Sequence, residues 1–138
     1  MIMQKYIYVI LFFIFFPKDC FSQAKRLRDA GNVSMIEVLV KPDEFNSKKI
    51  LFSGILIYEH ENSAIYLSKQ SAEYAVSTEA FWVRFAKGYE SDQELKKLDG
   101  KYVSVYGIFD KDQFGHMGAY RGTILVERIQ LRTRYRKL

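Results

Sequence analysis

From Lys49 onward the chain is written in short runs of period two, separated by turn residues and, once, by a charged amphipathic stretch. Period two sends alternate side chains to opposite faces of an extended strand, so such a chain has to pair its runs into a sheet and bury one face. Ile50 to Tyr58 (ILFSGILIY) is the first run and Ala64 to Ser68 (AIYLS) the second. In Phe81 to Phe85 (FWVRF), Phe81, Val83 and Phe85 share one face while Trp82 and Arg84 share the other. Tyr102 to Asp110 (YVSVYGIFD) and Thr123 to Leu131 (TILVERIQL) complete a set of five.

The interruptions also carry information. Between the third and fourth runs, Ser91 to Leu98 (SDQELKKL) predicts a short helix, capped by Ser91 with Glu94 and ended by Gly100. Ahead of the strands, Ser34-Met35-Ile36-Glu37 fits a capping box, so a helix is predicted through about Val40. It should stop before Pro42, because the residue ahead of a proline avoids the helical region. Pro42 to Lys48 reads as a turn, His60 to Ser63 as a hairpin-like loop, and Lys69 to Glu79 as an irregular or partly helical connection. Gly54, inside the first run, suggests a bulge or sharp coil that lets one long strand serve both sides of a small barrel. Five strands with a helix between the third and fourth, and a short N-terminal helix in front, predict an all-β, five-stranded OB-type Greek-key barrel over residues 33–132.

The N-terminus reads differently. Lys5 precedes an unbroken apolar run from Tyr6 to Phe16, Pro17 breaks it, and Cys20-Phe21-Ser22 supplies small residues at a cleavage site. A bilayer span needs roughly 20 apolar residues, so a cleaved signal peptide over residues 1–22 is expected, and no membrane span after cleavage. An uncleaved anchor, or lipidation at Cys20, is a minority alternative; the charged pair Lys18-Asp19 ahead of Cys20 does not suit lipoprotein processing. The destination is then the periplasm or the exterior. Cutting after Ser22 removes Lys5, Lys18 and Asp19 from 138 residues of net charge +5, leaving about +4, and removes the single cysteine. The fold must therefore rest on its core without disulfides. Residues 23–32 (QAKRLRDAGN) read as a flexible lead-in, and residues 133–138 as a basic, solvated tail.

Several phrases carry a resemblance. They are Val33-Ser34-Met35-Ile36 with Pro42-Asp43-Glu44-Phe45 and Lys48-Lys49, Ala64 to Ser68, Gly100 to Gly107, and Gly115-His116-Met117-Gly118 with Gly122-Thr123-Ile124. Over roughly Val33 to Arg132 the chain resembles an uncharacterised family of small exported bacterial OB-fold-like proteins. The resemblance implies a fold and brings no activity with it. Where such proteins carry an Asp-Gly-Lys turn, this chain has Asn46-Ser47-Lys48.

A search for catalytic spacing returns little. There is no Gly-x-Ser-x-Gly elbow and no Gly-Lys-Ser/Thr phosphate loop, and His60-Glu61 is followed by Ala64 where a zinc helix would repeat histidine. Asp110-Lys111-Asp112 opens like a calcium loop but meets Phe114 and Arg121 where oxygen ligands belong. The expectation is a protein that is not an enzyme and needs no cofactor.

Binding residues are expected instead. In an OB barrel the loop between strands 1 and 2 and the loop between strands 4 and 5 flank the usual binding face. Here they hold His60 with Glu61, and His116 with Met117. Two imidazoles with a carboxylate make a candidate metal or anion site at His60 and His116, although ordinary solvated loop residues are the preferred reading. Tyr58, Tyr66, Trp82, Tyr102 and Tyr106, with Arg84 beside the tryptophan, form a second candidate set. Aromatic strands beside arginine stack single-stranded bases in many OB domains, but export leaves little nucleic acid to meet, and tyrosine also packs well on half-buried strands. The leading expectation is a non-catalytic binding module of the cell envelope, contacting a protein or small ligand near the two loops.

Overall fold

The computed structural model describes residues 31–86 and 92–134. The expected signal peptide, the lead-in up to Ala30, the Ser91 half of the second helix cap and the tail beyond Arg134 lie outside the described residues. Among the described residues, no helix is long and apolar enough to cross a membrane.

Among the described residues six strands form one sheet: β1 (Gly31–Asn32), β2 (Lys49–Ile57), β3 (Ala64–Tyr66), β4 (Ala80–Phe85), β5 (Tyr102–Asp110) and β6 (Thr123–Leu131). Their order is β1-β2-β3-β4-β6-β5, and β5 returns to pair with β2. Strands β2 to β6 thus close into a five-stranded barrel. Its pairs are antiparallel except β4 with β6, which run parallel from Trp82↔Thr123 to Phe85↔Val126. A closed barrel of five strands in this order, with helix α4 (Asp92–Leu98) between its third and fourth strands, is the OB fold.

The alternation seen in the sequence is what fills the barrel. Ile50, Phe52 and Leu56 point inward from β2, Phe81 and Val83 from β4, Val103, Val105 and Phe109 from β5, and Ile124, Val126 and Ile129 from β6. The ring of Phe81 meets Phe52 edge-on at 5.8 Å and lies tilted against Phe109 at 5.1 Å. Each such side chain, fully buried, contributes about 1.5–3 kcal/mol over leaving it in water. Helix α1 (Met35–Val40) adds Met35 and Val38 to this core, and α4 adds Leu95. The capping box of α1 is present: Ser34 Oγ accepts from the Ile36 N–H, and Glu37 Oε2 accepts from the Ser34 N–H at 2.8 Å.

Four local expectations change. Pro42 to Lys48 is no simple turn, because Pro42–Phe45 forms a short helix, α2. Proline stands at its first position, where its missing N–H costs nothing. Asn32, expected in the flexible lead-in, belongs with Gly31 to β1, which runs parallel to Ile50 and Leu51 of β2. The second strand ends at Tyr66, and Ser68 instead caps helix α3 (Lys69–Glu73). Finally, β2 does serve two ladders, with β5 up to Ile55 and with β3 from Ile55 onward, but its register runs without a break through Gly54. The glycine is needed for close approach: a Cβ there would stand 2.6 Å from both Ile65 Cγ2 and the Tyr66 carbonyl oxygen. The register shift lies elsewhere, between Tyr106 and Gly107, where β6 carries Glu127 as an extra residue.

Candidate binding cleft

The outer face of β2, β3 and β4 is not solvent-facing in the way simple alternation implies. Ala64, Tyr66, Ala80 and Tyr120 form a second buried cluster there, with Ile55, Ile57, Ala72 and Trp82 packed against it. Its cover is the β5–β6 loop, residues 111–122. Tyr120 descends into the cluster, Gly115 lies directly on the indole of Trp82, and the Arg121 N–H donates to the Ala80 carbonyl at 3.1 Å. The Tyr120 hydroxyl donates to Asn62 Oδ1 at 2.7 Å. The two loops singled out in the sequence therefore do meet, through Asn62 and Tyr120.

This arrangement redistributes the predicted aromatic set. Tyr66 is 5% exposed and Tyr106 6%, so neither ring is open to stack a ligand. Burial, then a hydrogen bond with Tyr120, pushes the Tyr66 phenol up to about 12. Tyr106 lies under Lys49, whose ammonium stands 5.7 Å from the ring centre. Trp82 is half-buried, and its indole N–H is buried without a hydrogen-bond partner among the described residues. Leaving such a donor unpaired costs about 1–3 kcal/mol. Arg84 is exposed on β4, and Met117 is 90% exposed at the tip of the covering loop.

Beside Trp82 a cleft of about 300 Å³ remains open, lined by Tyr58, His60, Glu61, Ser63, Trp82, Val83 and Phe85. The β2–β3 loop builds most of it, and that loop is pinned at several points. The Tyr58 N–H donates to Asp99 Oδ1 at 2.8 Å, and its hydroxyl donates to Asp92 Oδ1 at 2.6 Å, which ties the loop to α4. The Tyr58 ring stands edge-on to Phe85 at 6.0 Å. Ser63 closes the loop, its hydroxyl donating to the Glu59 carbonyl at 2.6 Å and accepting from the Glu59 N–H at 3.1 Å. The acceptor Asp92 holds the Tyr58 phenol above its ordinary value, with burial acting in the same direction. Lys96, bonded to Asp92 at 2.5 Å, and then Tyr58 hold the Asp92 carboxyl below its own.

The cleft thus joins three aromatic walls to an imidazole and a carboxylate at the rim, which suits a ligand with one flat apolar face and a polar edge. Of the residues expected to bind, Tyr58, His60, Glu61 and Trp82 line it; Tyr66, Arg84, Tyr102, Tyr106, His116 and Met117 do not. Among the described residues no three His, Cys, Asp or Glu side chains gather closely enough to hold a metal ion. Phe85 was legible as a strand residue, but nothing in its spacing marks it as a wall of a cleft.

No protein-family model matches the chain. No curated protein sequence matches it either. Solved structures do: asparaginyl-tRNA synthetase from Pyrococcus horikoshii aligns at 20% identity and a TM-score of 0.45, covering 72% of this chain and 22% of the synthetase. A DUF3299 family protein from Pseudomonas aeruginosa PAO1 aligns at 13% identity and a TM-score of 0.44, covering 67% of this chain and 66% of that protein.

Proposed function

We propose that this chain is a non-catalytic binding module of the cell envelope, recognising a protein or small ligand at the cleft between the β2–β3 loop and β4. The observation that carries the reading is the cleft itself, with Tyr58, Trp82 and Phe85 as walls and His60 and Glu61 at the rim, on a barrel whose loops are tied down. A pre-organised aromatic cleft binds without first ordering its own side chains. The apolar run Tyr6 to Phe16 and the cleavage pattern ending at Ser22 support the reading of export, as does the resemblance to small exported OB-like proteins.

Native mass spectrometry of protein exported by its own signal tests both halves. The expected spectrum shows a chain starting at Gln23 with a bound mass that His60→Ala with Glu61→Ala removes. A bare chain, with no crosslinked species when a photoreactive residue replaces Glu61 in cells, would end the reading.

A further inference from the structure

A second, chemically different cleft lies where β2, β5 and β6 meet the start of α1. On the outer face of the β2–β5 ladder Ser53 stands opposite Ser104, their hydroxyl oxygens 3.3 Å apart. The Arg132 N–H donates to the Tyr102 carbonyl at 2.9 Å, extending the β5–β6 ladder one residue past Leu131. This places the guanidinium against Ser53, with Nη1 donating to Ser53 Oγ at 2.6 Å. Around it opens a cleft of about 430 Å³, whose lining includes Asn32, Val33, Ile36, Leu67 and Tyr102.

The charge of this cleft is one-sided. Among the described residues its lining contains Arg132 and no aspartate or glutamate. The carboxylate of α1, Glu37, is engaged by the Ser34 N–H, and the Ser34 hydroxyl by the Ile36 N–H. Among the described residues Arg132 has a neutral serine hydroxyl as its side-chain partner and makes no ion pair. A guanidinium offers five donors in a planar fork, so four remain for an acceptor of matching geometry. Ser53 Oγ accepts from Arg132, which leaves its own proton for Ser104 or for a ligand. Beside the polar Asn32 and Ser34, the lining offers two open apolar faces: Ile36 is 55% exposed and Tyr102 45%.

We propose that this cleft binds a small organic carboxylate with an apolar body, its head paired with Arg132 and Ser53 and its body laid against Tyr102 and Ile36. One positive charge matches a monoanion and leaves a phosphate dianion half compensated. The cleft volume falls within the span of small-molecule sites. This site is separate from the cleft of Tyr58 and Trp82, and stands or falls independently of it.

The test is an amide NMR titration of the purified full chain with phenylacetate, with neutral 2-phenylethanol, and with inorganic phosphate. Phenylacetate should shift the signals of Val33, Ser53 and Tyr102 saturably. The alcohol should bind about tenfold or more weakly, since it lacks the charge-assisted pair. Arg132→Gln should weaken phenylacetate by a similar factor and Arg132→Lys by less, while His60→Ala leaves the titration unchanged. An unaltered spectrum away from the cleft shows that the variants remain folded, and the alcohol comparison needs no variant. Absence of saturable shifts up to about 10 mM, a range that reaches very weak sites, would overturn the proposal. So would equal binding of the alcohol, or shifts confined to the His60 cleft.

Discussion

Gly115 rests on the face of Trp82 so closely that a Cβ at residue 115 would stand 2.5 Å from Cγ and 2.9 Å from Cδ2 of the indole. Its φ of +65° is also one that side-chain-bearing residues avoid. The contact seats the β5–β6 loop over the outer face of the barrel.

Gly115→Ala should therefore lift the loop from the tryptophan. A loss of about 1–3 kcal/mol is expected, from overpacking and left-handed strain together. The chain has a single tryptophan, so acrylamide quenching reports on the site directly. Quenching should rise while far-ultraviolet circular dichroism stays constant. Unchanged quenching with unchanged stability would show that the loop is not held by this contact.

Ser47 sits at φ +61°, the left-handed region that favours glycine. Its N–H donates to the Phe109 carbonyl at 2.8 Å, so the conformation is fixed by the barrel. Ser47→Gly should raise stability by about 0.5–1 kcal/mol, the left-handed penalty less the extra freedom glycine gains when unfolded. Urea denaturation decides it; a destabilised variant would mean that the serine hydroxyl contributes more than the strain costs.

The Tyr66 phenol holds its proton to a pH of about 12 in the folded chain, against an ordinary value of 10.0. The folded state therefore binds more protons than the unfolded state in that window. The stabilisation is fully present below pH 10 and is lost as pH rises towards 12. Tyr66→Phe should flatten the alkaline limb of the stability profile, an effect on the order of 2 kcal/mol at its top. An identical alkaline limb in the variant would remove Tyr66 as its source.

Lys49 and Glu127 pair at 2.8 Å with side chains 45% and 29% exposed, Glu127 being the extra residue of the β6 bulge. A double-mutant cycle should give a coupling of at most about 1 kcal/mol, shrinking in high salt, because solvent screens both charges. A larger, salt-insensitive coupling would mean that the pair fixes the bulge itself.

Much of the barrel was legible because its inner face obeys period two: β5 and β6 begin and end at the predicted residues. The outer face was not. Alternation assigns Ala64, Tyr66 and Ala80 to solvent, and only the path of residues 111–122, read as a glycine-bearing loop, reveals that they are covered. The β1 strand escaped because two residues paired through backbone groups alone leave no side-chain pattern. In the candidate cleft, His60, Glu61, Tyr58 and Trp82 were found by loop position and residue type, whereas Phe85 needed the structure. The Arg132 cleft draws on five stretches distant along the chain, around Val33, Ser53, Leu67, Tyr102 and Arg132, and no local spacing encodes it.

The seam between β2 and β5 runs from Lys49↔Ile108 to Ile55↔Tyr102. Each of its pairs closes a loop of about 50 residues, whose entropy is lost before the contact returns anything. The barrel cannot grow outward from a hairpin alone; its rate-limiting step has to bring the two halves of the chain together. Refolding is then expected on the millisecond-to-second scale of other non-local β topologies. Newly made chain waits over that interval with its apolar strands uncovered.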